Sequence, residues 1–259
     1  MVKFGFLVTI NSFCLKVGDM ENCLIIGDIA GQYSSLKRLL KKCPDYLPIS
    51  IGDMVDRGPD SKKVLDFFMK NGKALLGNHE HMMLDYNTYR NYDYGIWVEC
   101  NGGDSTLRSF QKKERKVKVS EKENENENEK EDYFLKKQLS IPKKYLDWLS
   151  SLPLFMDLGD VLVTHAPKHP LYTLEECCEF VSLSYRTTYW SGRVDCSVIW
   201  NRSDPEPIPD KYQIFGHNGV HYFITDEDKK DFAVCIDASR QGKLIAMILP
   251  SKEIVSVDI

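Results

Sequence analysis

Five times along this chain an apolar run of strand length stops at a glycine or threonine and gives way at once to a carboxylate, amide or imidazole. The stretches are "LIIGDIAGQ", "SIGDMVDRG", "LLGNHEH", "LVTHAP" and "IFGHNG". They put Asp28, Asp53, Asn78, His165 and His217 directly past the strand-like runs. In an open α/β sheet, groups just beyond the carboxyl ends of strands converge on one crevice. Each stretch alone is modest evidence. A Gly-Asp after a strand is common, and a lone histidine is more often a surface or satisfied core residue than a ligand. Their order and shared context carry the weight.

The segments between them alternate in kind. "NCLIIGD" reads as a short buried strand, and "SSLKRLLKKC" follows with leucines at helical spacing. "YLPISIGD" is a second strand, "SKKVLDFFMKNG" an amphipathic helix stopped by Asn-Gly, and "KALLG" a third strand before the helix opened by "HEHMMLDYN". Strands alternating with helices predict βαβ units on a parallel sheet. The second half differs. "IPKKYLDWLSSL" reads as a helix, and "LFMDLGDVLVTHA" as a hairpin around Gly-Asp. "YQIFGH", "HYFIT", "FAVCID" and "KLIAMIL" are short β runs that predict a second, largely antiparallel sheet. The expected architecture is α/β, two sheets with helices outside.

The 259 residues and 42% hydrophobic content suffice for a real core. Met20 stands just before the first motif strand, so residues 1–19 are expected to be an N-terminal extension to a domain spanning 20–259. That extension has a lysine and a short apolar run, but Asn11 and Ser12 interrupt it and no small-residue cleavage site follows. Residues 111–137, "QKKERKVKVSEKENENENEKEDYFLKK", are low in apolar residues and rich in Glu, Asn and Lys. Such a segment cannot bury enough surface to offset its ordering entropy, so a solvated, disordered insertion is expected. A docking arm for a basic partner is the lesser alternative. Net charge is −4, which gives no electrostatic reason to expect nucleic acid or an anionic membrane as partner. No apolar segment approaches the ~18 residues of a membrane span. The eight cysteines form no C-x-x-C pair, and several lie in apolar runs. Reduced core thiols in a cytoplasmic protein are the expectation.

Carboxylate, amide and imidazole donors suit Mn, Fe or Zn better than Ca. Two such ions about 3.5–4 Å apart need one carboxylate between them and can activate a bridging water for in-line attack. Asp56 and Arg57 follow shortly after Asp53, and His79 directly follows Asn78. An arginine fork matches two phosphate oxygens. A histidine beside the metals can protonate a departing alkoxide while a carboxylate fixes its tautomer. This composition points to phosphoester hydrolysis.

At these residues a family resemblance becomes explicit. "GDIAGQ", "GDMVDRG", "GNHE", the later "HA" and "FGH" resemble the calcineurin-like metallophosphoesterases, and more narrowly the phosphoprotein phosphatase family of serine/threonine phosphatases. "GNHEHMMLD", "WVECNGGDSTLRSF" and "SVIWNRSDP" resemble its bacterial and bacteriophage lambda-type branch, and "FAVCIDASRQGKLIAMIL" is similar to that branch's closing strand pair. The likeness runs from about residue 22 to 249, interrupted by the charged insertion. It implies a two-sheet metallophosphatase β-sandwich flanked by helices, with two divalent metal ions, Mn foremost and Fe or Zn as alternatives. Asp28 and Asp53 would hold the first ion, Asp53 bridging to a second that Asn78, His165 and His217 complete. His79 would be the general acid, paired with Asp56, and Arg57 and Arg202 would clamp the phosphate. For Arg202 a surface salt bridge is the plain alternative. The reaction implied is in-line attack by a hydroxide bridging the metals, on a phosphorylated protein or a small phosphoester.

Three stretches depart from that pattern. The family has histidine where Ala30 stands, and a methyl group ligates nothing. Leu76 stands where the lambda branch often has arginine, and Asp237-Ala238-Ser239 replaces a closing Asp-Thr-Gly. Loss of one imidazole should weaken the first metal site most, leaving impaired activity. Two other readings stay open: a pseudophosphatase that binds phosphorylated partners without turnover, and a hydrolase of dinucleoside polyphosphates or RNA caps.

Overall fold

The structure is a computed structural model that describes residues 13–14, 22–89, 94–111, 141–182 and 194–259. All but the first residue of the charged stretch at 111–137, and nearly all of the N-terminal extension, lie outside the described residues. The elements run in chain order as β1 (Phe13–Cys14), β2 (Cys23–Ile26), α1 (Tyr33–Lys42), β3 (Leu47–Ser50), α2 (Ser61–Asn71), β4 (Lys73–Ala74) and α3 (Asn78–Tyr89). A π-helical turn (Tyr94–Cys100), α4 (Gly103–Phe110), α5 (Lys143–Ser150), β5 (Phe155–Asp157), β6 (Val161–Thr164) and α6 (Leu174–Ser182) follow. The chain closes with β7 (Tyr212–Phe215), β8 (Tyr222–Thr225), β9 (Asp231–Cys235), β10 (Lys243–Leu249) and β11 (Glu253–Asp258).

Two sheets form. The first has the order β11-β10-β2-β3-β4 and the second β1-β5-β6-β7-β9-β8. In β2 the side chains alternate between two buried faces, as a strand's period of two requires. Cys23 and Ile25 pack between the sheets with Ile49, Val163, Ile214, Val234 and Met247. Leu24 and Ile26 face the other way, onto Leu36 and Leu39 of α1 and Val64, Leu65 and Phe68 of α2. A strand buried on both faces loses its polar alternation, which is why these segments read as continuous apolar runs. Helix α2 ends at Asn71, and Gly72 continues in an extended conformation with φ −152°. Its lack of a side chain serves packing: a Cβ there would lie 2.8 Å from both Phe68 Cδ1 and the Pro48 carbonyl oxygen.

The βαβ reading of the first half holds, with β2, β3 and β4 parallel. The second sheet is mixed, contrary to the largely antiparallel expectation. The hairpin β5–β6 and the pair β8–β9 are antiparallel, but β6–β7, β7–β9 and β1–β5 are parallel. The cause is connectivity. The chain leaves β6 through α6 before returning as β7, the long crossover that a parallel neighbour needs. "KLIAMIL" does not join that sheet at all: it is β10, paired antiparallel with β2 and β11 in the first. Cys23, Cys43, Cys177, Cys178 and Cys235 are buried and form no disulfide.

Candidate active site

Strand ends deliver the candidate donors. Beyond β3 the chain turns through Gly52 at φ 109°, where a Cβ would lie 2.7 Å from the backbone of Gly77. A Cβ on Gly77 would in turn lie 2.4 Å from Asp53 N and Oδ1. Two glycines thus let the ends of β3 and β4 touch, bringing Asp53 beside Asn78. From the second sheet, β6 leads directly into His165, and β7 reaches His217 through Gly216. Backbone strain gathers here. Of the eight non-glycine residues with positive φ among those described, five are Ala30, Asp53, Asp56, Arg57 and His217. Each such residue costs on the order of 1–3 kcal/mol and persists only where its surroundings impose it.

The structure brings Asp53, Asn78, His165 and His217 together. The Asn78 amide oxygen lies 2.9 Å from His165 Nε2 and 2.9 Å from His217 Nδ1. Asp53 Oδ1 is 3.4 Å from His165 Nε2. The Ile51 carbonyl accepts from His165 Nδ1 at 3.0 Å, which leaves the lone pair on Nε2. Burial is the main cause that pushes both imidazoles below their ordinary value, His217 strongly so. Neutral rings of this kind are metal donors. Asp53 is drawn down to about 2: burial opposes ionisation, but His165, His79 and His217 outweigh it. The donor set therefore fits a divalent ion. With the Asn78 oxygen inward, lone pairs from an amide, two imidazoles and a carboxylate face one another, and a cation satisfies them. Turned over, the same amide would donate to both rings at 2.9 Å, the arrangement suited to a metal-free pocket.

Asp28 and Ala30 lie in the loop after β2, which bonds to the Asp53 backbone. Asp28 is buried, its Oδ1 3.4 Å from the His217 backbone nitrogen, with the Asp237 carboxyl close by. Burial first, then the charges of Asp237 and Asp53, push its carboxyl well above the usual range. Ala30 is buried with φ 47°. Its loop is tied down: the N–H groups of Ile29 and Ala30 donate to the Asp53 carbonyl at 3.0 and 2.8 Å, and that of Gly31 to Met54 at 2.9 Å.

His79 sits at the edge of this cluster. Its Nδ1 donates to Asp56 Oδ2 at 2.6 Å, and its Nε2 faces Arg57 Nη2 at 3.1 Å and Asp53 Oδ2 at 3.7 Å. Burial opposes its charge, but Asp53 and then Asp56 outweigh burial and raise its pKa. Arg202 is exposed, and its Nη1 donates to the His217 carbonyl at 3.0 Å. Leu76 is buried against Leu154, Val198 and Ile199, so it contributes packing where an arginine would have offered charge.

Four residues without an assigned role in the sequence reading hold the site in place. Glu80, wholly buried, accepts the N–H groups of Asp53, Met54, Val55 and Gly77 at 2.8, 2.8, 3.2 and 3.0 Å. Burial, then the charge of Asp53, push it up to about 7. Trp97 Nε1–H donates to Asp56 Oδ2 at 2.8 Å, and the Thr106 hydroxyl to Oδ1 at 2.6 Å. Asp237 accepts the N–H groups of Gly219 and Ser239 beside Asp28. Glu80 closes the "GNHE" stretch, and Trp97 and Thr106 lie in "WVECNGGDST". The signal was present as likeness, without a chemical role attached.

Residues 22–227 match the family described as calcineurin-like phosphoesterase. Serine/threonine-protein phosphatase 1 of Salmonella typhimurium is 38% identical over 95 residues, 35% of this chain and 43% of that protein. The symmetrical bis(5'-nucleosyl)-tetraphosphatase of Shewanella oneidensis is 30% identical over 162 residues, 58% of this chain and 46% of that protein. The chain thus spans less than half the length of these relatives. A solved structure, provisionally assigned as a diadenosine tetraphosphatase, shares the fold with TM-score 0.58 at 21% identity, over 96% of this chain and 97% of that one. Among the described residues, no helix is long and apolar enough to cross a membrane.

Proposed function

Because the chain belongs to the calcineurin-like phosphoesterase family, we propose that it is a metal-dependent phosphomonoester hydrolase of the serine/threonine phosphatase type, its activity impaired by Ala30. The observation that carries this reading is the setting of His79, held by Asp56 on one nitrogen and facing Arg57 and Asp53 with the other. A structural histidine needs no such company.

Asp53, Asn78, His165 and His217 are the proposed donors to a divalent ion, Mn foremost. When bound, such an ion supplies Lewis-acid polarisation of phosphoryl oxygens and a water acidified toward neutral pH. The remaining work falls to the chain. Arg57 and Arg202 orient the phosphate by charge-assisted hydrogen bonds. With Arg57 turned from His79 Nε2 onto the phosphate, that nitrogen would carry a proton for the departing oxygen, and Asp56 fixes the ring through Nδ1. Trp97 and Thr106 keep the Asp56 carboxylate from turning away.

Hydrolysis of a dinucleoside polyphosphate is the second reading, supported by the likeness to the Shewanella oneidensis protein. The deciding assay is p-nitrophenyl phosphate turnover with added Mn²⁺, on the native chain and on Ala30→His in parallel. Metal-dependent turnover that rises by about 10–100-fold or more with histidine is expected, the range by which perturbed metal surroundings lower activity. If neither chain turns over while both bind phosphate, the enzyme reading fails and a phosphate-binding module replaces it. Nucleotide product analysis with diadenosine tetraphosphate, set against phosphopeptide, separates the two substrate classes.

A further inference from the structure

We propose that this chain takes up one divalent ion, at Asp53, Asn78, His165 and His217, and that the Asp28 side of the site holds no second ion of comparable affinity. The inference deepens the reading above and rests on it for the kind of ion. Its count is read from the donors alone.

Four donors from four strand ends converge on the first position, enough for a tetrahedral ion or for a larger one that keeps water. Among the described residues, Asp53, His165 and His217 form the only group of three candidate His, Cys, Asp or Glu donors whose ligand atoms all lie within 4.8 Å of one another. On the other side the tally stops at Asp28 and the shared Asp53. Ala30 supplies a methyl group where a third donor would have to stand.

The neighbours do not make good the loss. Asp237 is the nearest further carboxylate, and its oxygens are engaged. Oδ1 accepts the Ser239 N–H at 2.9 Å, and Oδ2 accepts the Gly219 N–H. Asp28 has little freedom to swing toward another partner. A Cβ on Gly216 would lie 2.4 Å from its Oδ1, so the backbone of the β7 exit already presses on it. Gln32 lies at the N-terminal end of α1 and makes no side-chain cap bond. Its N–H donates to the Ile29 carbonyl at 3.0 Å and closes the tight turn through Ala30 and Gly31.

The loop itself is sound, which isolates the cause. Ile29, Ala30 and Gly31 all donate their N–H groups to the segment after β3, and the Ala30 carbonyl accepts from Gly58 at 2.9 Å. A missing donor on an ordered loop weakens one ion position and leaves the other intact. A cation bound by two carboxylates alone keeps most of its water, the pattern of weakly held Mg²⁺.

The test counts ions and does not read hydrolysis. Chelator-stripped native chain, Ala30→His and His217→Ala are titrated with Mn²⁺ by calorimetry, and the loaded proteins are examined by electron paramagnetic resonance. The native chain is expected to bind one equivalent and to give the hyperfine pattern of an isolated Mn²⁺. Any second uptake should need roughly 100-fold more metal. Ala30→His should bind two equivalents with an exchange-coupled spectrum, and His217→Ala should lose the tight equivalent. Two comparable equivalents in the native chain, a coupled native spectrum, or one equivalent that survives His217→Ala would overturn the proposal. So would native protein that binds no ion. A chain that binds one ion yet hydrolyses nothing refutes the functional reading and leaves the count standing.

Discussion

Removing the hydroxyl of Thr106 should destabilise this protein by a predictable amount and in a pH-dependent way. Thr106 is wholly buried; its hydroxyl donates to Asp56 Oδ1 at 2.6 Å and accepts the Asp56 N–H at 2.8 Å. Thr106→Val keeps the branched shape. The Asp56 N–H retains the Ser61 hydroxyl at 3.0 Å, and that hydroxyl loses its 2.9 Å bond to Thr106, so the largest single loss is the bond to the carboxylate. Bonds to charged groups contribute about 1.5–3 kcal/mol. With an unfolding entropy of about 2.1 cal/mol/K per residue, 259 residues give roughly 0.5 kcal/mol/K. Tm should therefore fall by about 3–6 °C near pH 8. The sign with pH follows from Asp56. Burial already raises it above the ordinary 3.8, while His79, Thr106 and Trp97 pull it back. Losing the Thr106 bond raises it further. A carboxyl raised on folding contributes stability that is full below 3.8 and is lost as pH rises through its folded value. The deficit of the variant should therefore grow with pH above 3.8 and nearly vanish near that value. Thermal melts followed by circular dichroism at both ends of this range decide it. A fall under about 1 °C near pH 8, well short of the range expected for a charged bond, or a larger deficit at acid pH, refutes the account of Asp56 as a carboxylate held by Thr106.

The other outcomes follow from neighbouring contacts. The pKa of His79 lies above 6.5 because Asp53 and Asp56 outweigh its burial, so its proton should be lost only above that pH. Asp56→Asn should move the alkaline limb of kcat to lower pH, more for phenyl phosphate than for the better leaving group of p-nitrophenyl phosphate; an unmoved limb counts against His79 as acid. Gly102 has φ 83°, and a Cβ there would lie 2.8 Å from Arg57 N. Gly102→Ala, with roughly 1–3 kcal/mol of strain beside Arg57, should raise KM for a phosphoester about tenfold; a KM within twofold of native would show Arg57 to be a bystander. Mn²⁺ at about 100 times its Kd should add about 2.7 kcal/mol, seen as a Tm rise of roughly 5 °C that EDTA reverses. No rise would deny the cluster its ion.

Much of the candidate site was legible because its proposed donors are punctuation. Asp28, Asp53, Asn78, His165 and His217 each close an apolar run, and strand ends on one edge must meet. Asp56, Arg57 and His79 were found beside them by chemical type. What stayed hidden acts through bonds across long sequence separations. Thr106 reaches Asp56 from 50 residues away and Trp97 from 41, and neither belongs to a spacing that chemistry alone demands. Glu80 looks like an ordinary helix residue until its four N–H partners are seen. The direction of the strands in the second sheet was illegible for a different reason: in β6 and β7 every residue is buried, and a uniformly apolar run does not record which way its neighbour points. The alternation that did survive, in β2, was enough to set two layers around a shared core.

The donors come from both sheets: Asp53 and Asn78 follow strands of one, His165 and His217 strands of the other. An ion held at their centre, as proposed, would be a clasp between two halves of the polypeptide, joining position 53 to position 217. Neither half could bind it alone, since each offers only two donors. Occupancy should report on whether the layers are seated against each other, and a bound ion should hold them so. The chain between Gln111 and Ile141 contributes none of these donors.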